Sequence, residues 1–186
     1  MNNLKTESRG RTPKRLIAFL FFLFIIALIW VIVFKCNRND HLWIERNLSH
    51  SLRERFTYSI IPFKEDLQQI AAGSVVELLA LIFNVVCFLP FGVLLSFLIS
   101  KKATILLGFA FSSAVEIFQL FSGWGGFDFM DILLNTLGAV IGVVLYEYFF
   151  SKLSDKAIGT IAYVCLALIL PFNTYAIVNT ILNFPI

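Results

Sequence analysis

The sequence predicts an all-α protein, a polytopic bundle of about five transmembrane helices. Two observations support this prediction. The 186-residue chain is 59% hydrophobic and has a mean hydropathy of +0.84, whereas a soluble domain is usually about 45–50% apolar. The apolar residues are also concentrated in long blocks, and a helix needs roughly 20 such residues to cross about 30 Å of hydrocarbon. The chain is therefore predicted to be one membrane domain.

The apolar blocks predict the individual spans, which cover residues 16–34, 75–99, 103–121, 131–150 and 158–181. The first block follows a basic stretch, as in a secretory signal. Its apolar run is longer than the roughly 7–15 residues of a signal-peptide core, and no small-residue cleavage site follows. We therefore interpret it as an uncleaved anchor helix.

Basic residues outside the blocks predict the orientation, because cytoplasmic segments are enriched in Lys and Arg. The tail of residues 1–15 carries five of them and is predicted to be cytoplasmic. The lysines between the second and third blocks and between the fourth and fifth blocks then lie inside as well. The turn 122–130 has no Lys or Arg and lies outside. Five spans place the C-terminus outside.

The loop of residues 35–74 is predicted to be extracytoplasmic although it carries six basic residues. Basic residues favour the cytoplasmic side, but the loop also carries five acidic residues and is long, and both features weaken this preference. Within it, residues 41–56 space their apolar side chains as an amphipathic helix on the membrane surface does. The alternative is a solvated loop with scattered apolar residues.

Several classes of function are not supported by the composition. The net charge is only +3, and no basic cluster exists beyond the N-terminal tail, so no nucleic-acid partner is predicted. The three cysteines and two histidines are not spaced as zinc ligands. There is also no glycine-rich phosphate loop. We therefore predict no metal and no cofactor, and membrane lipids are the expected surroundings.

Polar residues inside the second, third and fourth blocks are the candidate functional residues: Asn84, Glu116, Gln119, Asp131 and Asn135. Such residues are costly in hydrocarbon and by default indicate function. Glu116 and Gln119 share a helical face, as do Asp131 and Asn135, because residues three or four apart are neighbours on a helix. In the predicted orientation Glu116, Asn135 and Asn84 lie roughly 9, 6 and 13 Å below the outer ends of their spans.

These side chains have three interpretations. Glu116 and Asp131 are the catalytic candidates, because a carboxyl group beside amides can act as a general acid or base. All five residues are candidates for binding a cationic or hydroxyl-rich headgroup in the outer half of the membrane. Alternatively they only hold helices together through interhelical hydrogen bonds, with Asp131 as the N-cap of the fourth helix.

Small residues and a proline predict the helix packing. Pro90, within the second block, removes a backbone hydrogen bond and is expected to kink that helix. Gly138 and Gly142 form a GxxxG pattern on the face that carries Asn135, and such a pattern lets a neighbouring helix approach closely.

Four motifs in this order resemble the VanZ-like family of bacterial membrane proteins. They are IIPFK at 60–64, NVVCFLPFG at 84–92, SSAVEIFQ at 112–119 and FDFMDILLNTLGAVIG at 127–142. The resemblance covers residues 60–150, a core with three of the spans. Carried over by position, the family's signature falls on eight residues: Asn84, Pro90, Gly92, Glu116, Gln119, Asp131, Asn135 and Gly138. It thereby adds Gly92 to the packing residues.

The resemblance implies a multi-pass protein of the bacterial cytoplasmic membrane, and the member that names the family is associated with resistance to teicoplanin, a glycopeptide antibiotic. It points to binding or modification of a cell-wall or lipid-linked component at the outer leaflet. The alternative is a non-catalytic structural protein that binds another membrane protein. The chain departs from the family at Gly125, where an arginine is common.

Overall fold

The structure is a computed structural model that describes residues 14–34, 75–122 and 127–183. These ranges contain helices and no strand, so the all-α prediction is confirmed. In chain order the helices are α1 (Lys14–Phe34), α2 (Val75–Ser96), α3 (Lys101–Ser122), α4 (Phe129–Tyr148) and α5 (Asp155–Asn183), with a 3-10 turn at Phe150–Lys152. Each of the five helices is long and apolar enough to cross a membrane. The chain is an integral membrane protein.

Three predictions lie outside the described residues. They concern the tail before Lys14, the loop of residues 35–74 with its surface helix, and the position of Gly125.

The helices form two groups. α2 and α4 make the most extensive contact and run in the same direction, and α3 runs opposite to both and packs on α4. The short connection at residues 97–100 forces α3 to turn back beside α2. α1 and α5 are the second pair and also run in parallel, because Leu23 bonds to Asn173 and Trp30 to Thr180.

Two apolar clusters join these groups. The first contains Leu28 from α1, Phe88, Phe91 and Leu95 from α2, and Ala139 from α4. The second has its buried residues on α1 and α5, and Leu94 of α2 packs against it; the buried residues are Leu20, Leu23, Ala162 and Leu166. Large apolar side chains also cover the outer surface of every helix, as a lipid solvent requires. α1 therefore connects the two groups.

Charge is distributed unevenly along the bundle axis. Every Lys and Arg in the described ranges lies at one end, which we call the basic end: Lys14, Arg15, Lys101, Lys102, Lys152 and Lys156. Toward the opposite end lie Glu116, Asp128 and Asp131, which we call the acidic cluster. Within the described ranges, basic residues therefore predominate at one end and acidic residues at the other.

Candidate functional site

The geometry of the site begins with the contact between α2 and α4. A Cβ atom on Gly142 would lie 2.8 Å from the Cα of Gly92, and one on Gly138 would lie 2.9 Å from the Cβ of Phe88. Both would lie closer still to carbonyl oxygens of α2. Because only glycine leaves this space free, the two backbones meet directly. This contact fixes the position of α4 along the bundle axis relative to α2 and α3.

The N-terminus of α4 is held by Asp128. Its Oδ1 accepts a hydrogen bond from the backbone N–H of Met130 at 2.7 Å, which is an N-cap interaction. The prediction that Asp131 is the N-cap was wrong, because the helix begins at Phe129 and Asp131 lies in its first turn. The spacing of Asp128 and Asp131 is that of a capping box, with an acid at the cap and another three residues later. That signal was present in the sequence.

Glu116 lies directly beside this cap. Its side chain is only 1% exposed, and its Oε2 accepts a hydrogen bond from the backbone N–H of Asp128 at 2.8 Å. A carboxyl group on α3 therefore anchors the N-cap residue of α4. Asp128 is the N-cap of α4 and Asp131 lies in its first turn, so the three acids of the acidic cluster meet at the N-terminus of this helix.

Asn84 and Asp131 join α2 to the same group. The side-chain amide of Asn84 donates a hydrogen bond to Oδ1 of Asp131. Both residues are half-buried, whereas Glu116 is fully enclosed. Asp128 is half-buried as well, so Asn84, Asp128 and Asp131 are the partly exposed members of the group and Glu116 is its enclosed member.

Asn135 lies one turn deeper along α4 than Asp131. Its amide donates a hydrogen bond to Oγ of Ser112 at 2.9 Å, and both side chains are buried. Ser112 was not among the predicted site residues. It stands four positions before Glu116 and therefore on the same helical face, which was the available signal.

Gln119 faces a different neighbour. Its side-chain amide donates to the backbone carbonyl of Ile32 on α1 at 3.5 Å, a long and weak hydrogen bond. In the described residues Glu116 bonds to a backbone amide, and none of its hydrogen bonds goes to Asn84, Asn135 or Gln119. The amides thus connect helices around Glu116 without contacting its carboxyl group.

The remaining predicted residue, Pro90, lies away from the acidic cluster. It is inside α2, which continues to Ser96, and it lines an apolar groove toward α1 and α5. Because proline has no N–H, the carbonyl of Val86 lacks its usual helical donor.

The acidic cluster offers carboxyl oxygens as hydrogen-bond acceptors, and Asp128 and Asp131 are its partly exposed members. Within the ranges that the structure describes, no group of three His, Cys, Asp or Glu side chains is arranged to hold a metal ion. The carboxylate oxygens and the Asn84 amide near this end of the bundle can form hydrogen bonds with hydroxyl or ammonium groups of a ligand.

Comparison with known proteins identifies relatives of this chain. The VanZ/LLP1 family model matches residues 21–151, which contain most of α1 and all of α2, α3 and α4. Protein VanZ of Enterococcus faecium is 29% identical over 168 residues, which cover 86% of this chain and 94% of that protein. No solved structure matches the chain. The matched region contains the acidic cluster and the glycine contact, and α5 lies beyond it.

Proposed function

The chain belongs to the VanZ/LLP1 family, and on that premise we propose that it is a bacterial cell-envelope protein that binds a cell-wall or lipid-linked component at the outer leaflet. The observation that carries this proposal is the burial of Glu116 beneath the cap of α4, next to the half-buried Asn84–Asp131 pair. A buried carboxyl group is costly in a membrane interior. Glu116 is nevertheless buried here, with Asp128 and Asp131 beside it.

The proposed orientation puts the acidic cluster on the outer side. The positive-inside rule assigns the basic end to the cytoplasm, and the acidic cluster lies at the other end of the same helices. The cytoplasmic membrane, an inside N-terminus and an outside C-terminus complete this arrangement. In it the Asn84–Asp131 pair faces the compartment in which cell-wall precursors are assembled.

Each group has a role in this proposal. Asp131 accepts hydrogen bonds from hydroxyl or ammonium groups of the ligand, and Asn84 orients its carboxylate. Glu116 is a positioning residue, because it holds the Asp128 backbone and hence the first turn of α4. The proposal includes a contribution to resistance against teicoplanin-type glycopeptides, which act at that outer face.

The test compares Asp131→Asn with Glu116→Gln in a susceptible bacterial host that expresses the full chain. We expect Asp131→Asn to abolish the protection against teicoplanin that the unmodified chain gives, with the amount of folded protein unchanged. Glu116→Gln keeps an oxygen that can accept from the Asp128 N–H and should lower both only slightly, whereas Glu116→Ala removes this acceptor and should lower both strongly. Glu147→Gln is the matched control, because Glu147 is an exposed acid at the basic end and should preserve both. Full protection with Asp131→Asn at normal expression would refute the proposed binding role.

A second function is favoured by the hydrogen bonds themselves. Glu116, Asn135 and Gln119 each have a partner within the bundle, as side chains that only join helices do. The chain would then be a structural membrane protein that binds another protein. In that case Asp131→Asn, Glu116→Gln and Asn135→Ala should lower protection only in proportion to the folded protein that remains. Thermal stability in detergent, measured for the same variants, distinguishes the two functions.

A further inference from the structure

A second candidate site shares no residue with the acidic cluster. α1, α2, α4 and α5 enclose a groove of about 610 Å³. Its lining is almost entirely apolar, and Leu20, Pro90, Phe97, Phe150 and Leu168 are among its residues. No residue of α3 and none of the acidic cluster contributes to it. The groove combines helices of the family region with α5.

The groove is open toward the surrounding bilayer. Ile161 and Leu168 line it and are 40% and 70% exposed. Its lining residues on α5 run from Ile158 to Phe172, a rise of about 21 Å at 1.5 Å per residue. One leaflet contributes about 15 Å of hydrocarbon, half of the bilayer core. The groove is therefore long enough for an extended acyl chain that enters from one leaflet.

The basic end identifies that leaflet. Ile17, Phe150 and Ile158 line the groove at this end. Lys14 lies one helical turn before Ile17 and hence on the same face. Lys152 closes the 3-10 turn that begins with Phe150, and its ammonium group lies 5.8 Å from the centre of the Tyr148 ring. Both lysines are exposed.

Nearby acids leave an excess of positive charge at the mouth of the groove. Glu147 is paired with Lys101 on α3, with an N–O distance of 2.6 Å. Asp155 is the other described acid at this end, and it lies one helical turn before Ile158, which lines the groove. Apart from Lys101, five basic residues lie at this end: Lys14, Arg15, Lys102, Lys152 and Lys156. Basic residues beside a membrane attract anionic lipids, each by about 1 kcal/mol. Charge complementarity therefore selects the headgroup.

We propose that the groove binds one anionic phospholipid from the leaflet at the basic end, with an acyl chain along α5 and its phosphate beside Lys14 and Lys152. The apolar lining supplies affinity for the chain, and the lysines supply selectivity for the headgroup. This site is independent of the acidic cluster and of the function proposed for it.

The first experiment fills the groove. The purified full chain in detergent is titrated with phosphatidylglycerol, and native mass spectrometry counts the bound lipids. Ile161→Trp should remove one bound phosphatidylglycerol. Val164→Trp is the matched control, because Val164 is 56% exposed on α5 but does not line the groove. If Ile161→Trp lowers the thermal stability, Leu168→Trp replaces it. Equal lipid counts in the groove and control variants would overturn the proposal.

The second experiment tests the headgroup. Phosphatidylglycerol is compared with phosphatidylcholine of the same acyl chains. Lys14→Gln and Lys152→Gln should each weaken the preference for phosphatidylglycerol about fivefold, the equivalent of about 1 kcal/mol. Lys102→Gln, on α3, should leave it unchanged. A preference that is absent in the unmodified chain, or that Lys102→Gln reduces equally, would contradict selection by the groove lysines.

Discussion

The two helix pairs of this molecule are built in opposite ways. α2 and α4 meet through Gly92, Gly138 and Gly142, so that backbone contacts backbone. α1 and α5 meet through side chains, such as the Trp30 ring against the rings of Phe172 and Tyr175. A close backbone contact leaves no space between helices and fixes their register. A contact through long side chains leaves grooves beside it.

The polar contacts follow the same division. Between α3 and α4 they are made by short side chains, as in the hydrogen bond from Asn135 to Ser112. Between α1 and α5 the Trp30 indole N–H donates to Thr180 at 2.8 Å, and the Asn173 amide donates to the carbonyl of Leu23 at 3.0 Å. Oδ1 of the buried Asn173 has no partner in the described residues. The buried polar atoms of α2, α3 and α4 therefore have more complete hydrogen bonding than those between α1 and α5.

The largest expected effect concerns the glycine contact. In Gly138→Ala the new methyl group would lie 2.9 Å from the Cβ of Phe88 and against the Val85 carbonyl. Because neither can move without shifting α2, we expect a loss of about 3 kcal/mol, the upper part of the range for overpacking. The free energy of unfolding in mixed micelles measures it.

The control for this prediction is on the other helix pair. Gly159 lies on α5, and an added Cβ would meet no atom within 4 Å. Gly159→Ala should therefore be neutral or stabilise by up to about 1 kcal/mol, the difference in helix propensity. Similar losses for Gly138→Ala and Gly159→Ala would show that the glycines matter for flexibility and that α2 and α4 do not depend on close contact.

An intermediate effect is expected for Ser112→Ala. This change leaves the buried Asn135 amide without its acceptor, which should cost about 1–2 kcal/mol. Ser113→Ala is the control at the next position, because the Ser113 hydroxyl bonds only to its own helix, at the carbonyl of Phe109. Unfolding in the same micelles measures both variants. Equal stabilities would mean that the Asn135–Ser112 bond is replaced by another contact.

The sequence was sufficient to predict the spans because hydrocarbon imposes a length and a composition on each helix. It also placed the polar side chains of α2, α3 and α4 on helical faces by their spacing. Which polar groups bond to each other was not predictable. These pairings depend on how neighbouring helices are rotated and shifted along their axes, and the periodicity of a sequence does not determine either. Glu116 was expected among amides, and its carboxyl group bonds to the backbone of Asp128.

The contact between α1 and α5 was the least predictable part. The two helices are separated by more than a hundred residues, and none of the candidate functional residues lies on either of them. Asn173 and Thr180 are ordinary polar residues within a long apolar block, and nothing in the sequence pairs them with α1. The groove also depends on this packing, because residues of four helices line it. Its existence follows from three-dimensional contacts and not from any motif.

The smallest expected effect concerns Glu147, an exposed acid at the basic end, in contrast to the buried Glu116. The ion pair of Lys101 and Glu147 joins α3 to α4 at the basic end, and its side chains are 49% and 52% exposed. Exposed pairs contribute roughly 0.2–1 kcal/mol because solvent and salt screen them. Glu147→Gln should therefore change the free energy of unfolding by less than about 1 kcal/mol, and the difference should shrink further at high salt. A loss as large as that of Ser112→Ala would place this pair in a far less polar environment than its exposure indicates. The division between a buried, tightly joined acidic end and a solvated basic end would then be wrong.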